Sequence, residues 1–297
     1  MAKPNPKLKE RVHAFWQANP CGIKFADAEP GTRRFYELVE AHRYEKEWHI
    51  PIAADFTASR GLRVLEIGCG LGTDGAQFAR AGADYTGVDL TEAAVELARK
   101  RFELFHLPGT FRTADAENLD FKDESFDLVY SHGVLHHTPD TARAVREIHR
   151  VLKKDGKAIV MLYHRNSYNY RVNIRLLRRG GVHLLRWETG VQLVHKLTGE
   201  PVESLRAHAR KLREGHNGYL SAEEFLSQNT DGAGNPLARV YSRREVRELF
   251  RDFAEVKLRT FFLNKRFIPL IGNLLPRSLE AQLAARWGWH LWIYAKK

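Results

Sequence analysis

Between residues 63 and 163, short apolar segments alternate with segments of helical periodicity, and no other feature restricts the fold as strongly. Five of these segments are short, and four of them contain Val, Ile or Leu, which suits strands buried on both faces. They cover residues 64–68, 85–89, 110–114, 126–130 and 158–163. Strands that alternate with helices form βαβ units. We therefore predict an α/β fold with a parallel, doubly wound sheet.

The helical segments have recognisable ends. Thr91 is placed to cap one helix, and a second helix begins at Thr141 and should stop at Asp155-Gly156. The alternation of strands and helices stops after residue 163. It resumes with a capping box that begins at Ser242 and is followed by two final strands. This pattern divides the chain into a helical lid, a core and a cap insertion. The lid covers residues 1–60, the core covers residues 61–163 and 241–297, and the cap insertion covers residues 164–240.

Composition limits the setting in which the chain works. The formal net charge of +11 suggests a nucleic acid, an anionic membrane surface or an acidic small molecule as partner. No run approaches the roughly eighteen apolar residues of a membrane span, and the N-terminus lacks the apolar centre of a signal peptide. Cys21 and Cys69 are the only cysteines, so we expect a reducing, cytoplasmic location.

The segment V-L-E-I-G-C-G-L-G-T-D-G, residues 64–75, predicts a cofactor site. A strand ends at Gly68, and glycines after it allow a tight turn close to a ligand. Asp89 ends the next strand, where a carboxylate can accept both hydroxyls of a ribose. A dinucleotide would place its pyrophosphate at this turn. Glu66, inside the strand, is poorly placed beside a pyrophosphate but compatible with an ammonium group.

This segment resembles motif I of the class I S-adenosylmethionine-dependent methyltransferases. L-H-H-T-P-D, residues 135–140, resembles a stretch common in methyltransferases of the ubiquinone-biosynthesis, or type 11, group and their bacterial small-molecule relatives. The resemblance covers roughly residues 61–163 and 242–297. It implies a Rossmann-like, seven-stranded, mainly parallel sheet with an antiparallel last strand, and S-adenosylmethionine as the cofactor.

The resemblance also implies roles for individual residues. Gly68 and Gly70, in one loop with Cys69 and Gly72, would pass beside the methionine part, and Glu66 would face its amino group through water. Further contacts are implied for Asp89 (ribose), Leu90, Asp115 and Ala116 (adenine), and Ser131 and His132 (either side of the cofactor). Trp16 and Tyr44 could close over the cofactor, because an aromatic face attracts a sulfonium cation. Packing of a helix onto the sheet explains these two rings equally well.

The stretch S-H-G-V-L-H-H-T-P-D, residues 131–140, follows the fourth strand and so reaches the same edge as the glycine loop. We predict that His137 acts on the substrate, as a general base or an orienting hydrogen-bond partner. His136 is a candidate substrate contact, with support of the turn as the alternative. We expect no metal at this loop, because adjacent histidines point apart in an extended chain and no other ligand has zinc-site spacing.

The insertion begins with a basic run, residues 164–179. We predict that Arg171 and Arg175 contact an anionic or strongly polar substrate; a solvated basic helix face is the alternative. The function predicted overall is methyl transfer from S-adenosylmethionine to a small-molecule acceptor. An RNA or tRNA methyltransferase fits the charge, but the N/D-P-P-Y/F type of motif is missing after the fourth strand. A cofactor-binding protein without catalysis is a third reading. The acceptor atom and the oligomeric state stay open.

Overall fold

The computed structural model of the protein describes residues 6–214, 221–232, 234–265, 268 and 274–297. Its centre is a seven-stranded sheet with the strand order β3-β2-β1-β4-β5-β7-β6. The strands are β1 (Arg63–Ile67), β2 (Asp84–Asp89), β3 (Thr110–Thr113), β4 (Phe126–His132), β5 (Leu152–Tyr163), β6 (Glu255–Phe261) and β7 (His290–Lys296). Only β7 runs antiparallel to its neighbours, β5 and β6. The predicted α/β fold is confirmed.

Alternate residues of the central strands enter two different apolar layers, as the pleat of a strand requires. In β1, Val64 packs into one layer and Leu65 into the other, and both are fully buried. In β4, Leu128 and Val129 divide in the same way. The sheet is therefore covered on both faces at β1 and β4, which explains why these central strands are mainly apolar in sequence.

Helices flank this sheet and precede it. Before β1 lie α1 (Pro6–Ala18), α2 (Arg33–Lys46) and α3 (Ile50–Ala54). The strands of the core are connected through α4 (Thr73–Arg80), α5 (Glu92–Leu104) and α6 (Thr141–Val151). The insertion holds a π-helical segment (Asn169–Arg178), α7 (Arg179–Gly181), α8 (Glu188–Thr198), α9 (Val202–Arg213) and α10 (Ala222–Gln228). The chain ends with α11 (Arg243–Leu249), β6, α12 (Arg277–Trp287) and β7. No helix among the described residues is long and apolar enough to cross a membrane.

Two helix ends differ from the prediction. α6 ends at Val151 instead of Asp155-Gly156, because Leu152 has extended backbone angles and pairs with Phe126 of β4. Asp155, with a φ of 64°, lies in the part of β5 where the register with β4 shifts. Thr91 holds the cap position of α5, but its hydroxyl donates to Asp89 instead of capping the helix. The capping box that begins at Ser242 is confirmed.

The insertion leaves and rejoins the core at one place. Its first residue, His164, forms a parallel bridge with Tyr241 directly after β5. Just before that return, the Arg239 amide donates to the carbonyl of His136 at 3.0 Å. Residues 1–5, 215–220, 233, 266–267 and 269–273 lie outside the described residues, so the predicted lid and insertion are described in part. Both ends of the insertion thus meet the carboxyl end of the central strands.

Candidate active site

The glycine loop turns sharply between β1 and α4. Gly68, Gly70 and Gly72 have φ values of 78°, 50° and 67°, a region that glycine adopts without steric cost. The Gly68 and Cys69 amides both donate to the carbonyl of Val88, which holds the loop against β2. A Cβ at Gly68 would lie 2.1 Å from Val134, whereas a Cβ at Gly70 would meet nothing within 4 Å. The space beside Gly68 is therefore filled by Val134, whereas the space beside Gly70 is open.

Asp89 links this loop to the end of β2. Its Oδ2 accepts from the Gly70 amide at 3.1 Å, and its Oδ1 accepts from the amide and hydroxyl of Thr91 at 3.0 Å. Burial raises the pKa of Asp89 despite these bonds. A carboxylate has about four acceptor positions, so capacity is left for a ribose hydroxyl. With the open space at Gly70, the residues present fit a ribose-bearing cofactor.

Helix α1 lies over the next part of the edge. Lys9 donates to Asp115 at 2.6 Å and to Glu117 at 2.7 Å, next to the buried Ala116. Further along α1, the Trp16 ring packs edge-on against the His137 ring, with ring centroids 5.3 Å apart. The predicted adenine contacts and the histidine loop are thus bridged by one helix. Cofactor contacts of Trp16, Asp115 and Ala116, and of the half-buried Leu90, remain predictions.

A buried ionic network lies behind the glycine loop. Asp74, in α4, accepts two hydrogen bonds from Arg43 at 2.9 and 2.6 Å, and others from Tyr44 and Tyr130. Burial raises the pKa of Asp74, but the Arg43 charge and these bonds bring it below its usual value. Glu66 accepts instead from the Tyr85 hydroxyl at 2.5 Å, and burial raises its pKa. Sequence reasoning missed Arg43 and Asp74, although T-D-G in the glycine loop was a visible signal.

Two residues at the end of β4 have partners of their own. The Ser131 hydroxyl is fully buried and donates to the Ile67 carbonyl at 3.0 Å, which ties β4 to β1. His132 accepts from Arg43, with Nη2 and Nδ1 3.1 Å apart. The contacts of Glu66, Ser131 and His132 with the cofactor therefore stay predictions, and each of these side chains already has a partner within the protein.

His137 is held by the insertion. Its Nδ1 donates to the carbonyl of Leu237 at 2.5 Å, and its Nε2 lies 3.4 Å from Oδ2 of Asp231. The Tyr163 hydroxyl, at the end of β5, is 2.9 Å from each oxygen of Asp231. A histidine oriented through one nitrogen, with a carboxylate beside the other, can take up a proton and stabilise the resulting charge. Asp231 was missed because nothing in the sequence connects it to His137.

His136 is placed differently from its neighbour. It is fully buried, and its ring centroid lies 3.7 Å from that of Tyr163. Among the described residues, neither of its ring nitrogens has a hydrogen-bond partner. Burial keeps its pKa well below the usual value, so the ring is neutral near pH 7. In the structure, His136 packs against Tyr163. Its contact with the substrate remains a prediction.

The arginines that we predicted to contact substrate are both exposed. Arg171 donates to Asn166 at 2.7 Å, and the Arg175 guanidinium lies 5.9 Å from the ring centroid of Tyr170. Each therefore engages a neighbour from the first residues of the insertion. This arrangement is equally compatible with a basic surface of the helical segment.

A family model described as a methyltransferase domain, of type 11, matches residues 65–160. A ubiquinone biosynthesis O-methyltransferase from Alkalilimnicola ehrlichii is 34% identical over 126 residues, which cover 40% of this chain and 51% of the relative. A phthiotriol/phenolphthiotriol dimycocerosates methyltransferase from Mycobacterium ulcerans is 42% identical over 99 residues, 32% of this chain and 35% of the relative. The match thus spans about half, or less, of the length of these curated relatives.

A solved structure extends the similarity of the fold to nearly the whole chain. The magnesium protoporphyrin IX methyltransferase from Synechocystis, with bound S-adenosylhomocysteine, superposes with a TM-score of 0.51, covering 97% of this chain and 99% of that one. At 15% identity it supports the fold alone. The matched segment contains the glycine loop, Asp89 and the histidine loop. Residues 65–160 therefore belong to the class I S-adenosylmethionine-dependent methyltransferases, in the type 11 group.

Proposed function

We propose that this chain transfers a methyl group from S-adenosylmethionine to a small-molecule acceptor at the carboxyl edge of β4 and β5. The observation that supports this most is the group of His137, Asp231 and Tyr163, which lies at the same edge as the glycine loop. The names of similar proteins point the same way, since they refer to ubiquinone biosynthesis, phthiotriol dimycocerosates and, in a Caenorhabditis elegans relative, sterols.

When bound, S-adenosylmethionine supplies an electrophilic methyl group that already carries a good leaving group. The protein has to align the acceptor and exclude water. The Nδ1–H bond to Leu237 leaves the lone pair of a neutral His137 on Nε2, which takes the acceptor proton. Asp231 then stabilises the imidazolium, and Tyr163 holds the carboxylate in place. Trp16, packed on His137, limits the access of water.

The experiment that tests this function is transfer of a labelled methyl group into a metabolite extract, with identification of the product. We expect label in a low-molecular-weight product, in an amount that depends on enzyme concentration. Label in RNA would favour the alternative suggested by the charge. Absence of label from every fraction, with intact cofactor binding, would favour a protein without catalysis.

The cofactor should stabilise the native protein. S-adenosylmethionine and S-adenosylhomocysteine should raise the Tm, and NAD should not, because only a ligand that binds the native state shifts unfolding. Asp89→Ala should lower the affinity about tenfold or more, which removes about 1.4 kcal/mol of ligand stabilisation. Thermal scans with and without ligand measure both effects. Asp84→Ala, at the exposed start of β2, is the matched control. A shift with NAD alone would contradict the assignment.

An anionic acceptor is a narrower part of the proposal. Arg171→Glu or Arg175→Glu should raise the KM for such an acceptor up to about fivefold, since an exposed charge contact contributes up to about 1 kcal/mol. The affinity for S-adenosylmethionine should not change. Steady-state kinetics on the identified acceptor measure the effect, with Arg247→Glu on α11 as the control. Unchanged KM in both variants would assign the run to a solvated surface.

A further inference from the structure

Three histidines from distant parts of the chain meet beside the proposed active site. His49 lies just before α3, His132 ends β4, and His290 begins β7. One nitrogen of each ring lies within 4.8 Å of the other two. In the part of the chain that the structure describes, no other group of histidine, cysteine and acidic side chains has this geometry. We propose that these three histidines bind a divalent transition-metal ion, with Zn²⁺ as the expected occupant.

The spacing of the first two rings suits a common ligand. His49 Nε2 and His290 Nδ1 are 3.1 Å apart and share a hydrogen bond, which a bound ion would replace. Two nitrogens that bind one zinc ion at roughly 2.0–2.1 Å with tetrahedral angles are separated by about 3.3 Å. Imidazole nitrogen is a preferred ligand of Zn²⁺, whereas Mg²⁺ and Ca²⁺ prefer oxygen. A small movement of one ring is enough to place both nitrogens on the same ion.

Two buried ring nitrogens of this group lack a partner in the described part of the chain. His49 Nδ1 and His132 Nε2 are buried without a hydrogen-bond partner among the described residues. An unpaired buried polar atom is costly, and coordination through His132 Nε2 would compensate for that cost at His132. His49 faces His290 through Nε2, so its Nδ1 stays unpaired when Nε2 binds the ion.

A carboxylate orients one of the ligands. Glu47 Oε1 lies 3.5 Å from His290 Nε2. When the Nε2 proton faces Glu47, the lone pair on Nδ1 faces His49. Carboxylate, histidine and metal follow each other in this order in many zinc sites, where the carboxylate fixes the tautomer.

Arg43 is the competing cation at this site. Its Nη2 lies 3.1 Å from His132 Nδ1. A metal ion that binds His132 through Nδ1 must therefore displace Arg43, whereas an ion that binds through Nε2 leaves this contact in place. Arg43 keeps its two hydrogen bonds to Asp74 and its contact with Glu47, so the guanidinium stays paired. Within this group, Asp74 and Glu47 balance part of the added charge.

We predicted no metal at the histidine loop, and the proposed site departs from that prediction at His132, whose two partner ligands lie outside the loop. Three protein ligands leave a coordination position for water or a substrate oxygen, as in catalytic zinc sites. His290 is paired across the sheet with Tyr163, whose ring packs on His136. The proposed ligand His290 is thus a strand neighbour of Tyr163, which belongs to the proposed acceptor site. Metal binding itself does not depend on the proposed methyl transfer.

The test is Co²⁺ binding to the full chain after removal of metals with a chelator. We expect one equivalent of Co²⁺ to produce visible absorption bands of a low-coordinate site, and Zn²⁺ to displace it. His49→Gln and His290→Gln should weaken binding by about 100-fold or more, and Glu47→Gln by about 10- to 100-fold. His164→Gln, which changes a histidine of similar burial outside the cluster, should leave the affinity unchanged.

Circular dichroism shows whether each variant folds. If the variants of the two most buried members do not fold, His132→Gln decides the result, since His132 is only partly buried. The proposal would be overturned by wild-type protein that produces no one-equivalent absorption. It would also be overturned by a folded His49→Gln, His132→Gln or His290→Gln variant that binds Co²⁺ as tightly as the wild type. None of these readouts requires methyltransferase activity, so failure of the metal site and failure of the proposed function are distinguishable.

Discussion

Replacement of His137 by alanine should reduce kcat by about ten- to a thousand-fold and leave the affinity for S-adenosylmethionine intact. The loss is expected because Nε2 is the one nitrogen of this ring not bonded to the backbone, and it lies 3.4 Å from the carboxylate of Asp231. Asp231→Asn should lower kcat as well, since it removes the charge that stabilises the imidazolium. Single-turnover rates on the identified acceptor, with cofactor affinity by calorimetry, measure both effects.

The control for this prediction is His149→Ala. His149 lies on α6, where its ring packs on Phe253, and its replacement should leave kcat unchanged. A dependence of kcat on pH that disappears in the His137 variant would support the role of a base. Full activity of His137→Ala would instead assign the ring a structural role, in which its bond to Leu237 only secures the return of the insertion.

The protein should lose up to about 4 kcal/mol of unfolding free energy between pH 7.5 and 5.5 from three histidines. His49, His136 and His290 are nearly fully buried, and burial lowers the pKa of each, that of His49 to about 3. Below about pH 6.5 the unfolded chain binds protons that the native state cannot bind. The contribution of these three histidines to the unfolding free energy is therefore fully present above that pH. It decreases as the pH drops towards their native pKa values.

Urea unfolding at the two pH values, in the presence of a chelator, measures this loss. His136→Phe should reduce the pH-dependent part by about a third, because one of the three buried rings no longer titrates. His183→Gln, which changes an exposed residue in the insertion, is the matched control. The same pH dependence in His136→Phe and in the wild type would show that other groups cause it.

The order of elements and the cofactor loop could be predicted because their signals are local. The apolar runs around Val64 and Val129 specify strands that are buried on both faces, and this burial is repeated along each strand. Gly68, Gly70 and Asp89 lie at strand ends, where the topology of a doubly wound sheet brings side chains to one edge. The predicted end of α6 was wrong, because the helical periodicity of the sequence continues past Val151. In the structure, Leu152 instead pairs with Phe126, and this tertiary contact ends the helix.

The sequence by itself determined the fold class, the glycine loop and the delivery of the histidine loop to the cofactor edge, because neighbouring residues carry each of these signals. Only the tertiary structure brought Asp231 to His137, by returning the insertion to the end of β5. In the same way it brought His49 to His290, which are 241 positions apart. Such contacts depend on where β7 enters the sheet and on how α2 and α3 lie against it. Periodicity and motif spacing report only on residues close in the chain, so long-range pairs of this kind leave no local trace.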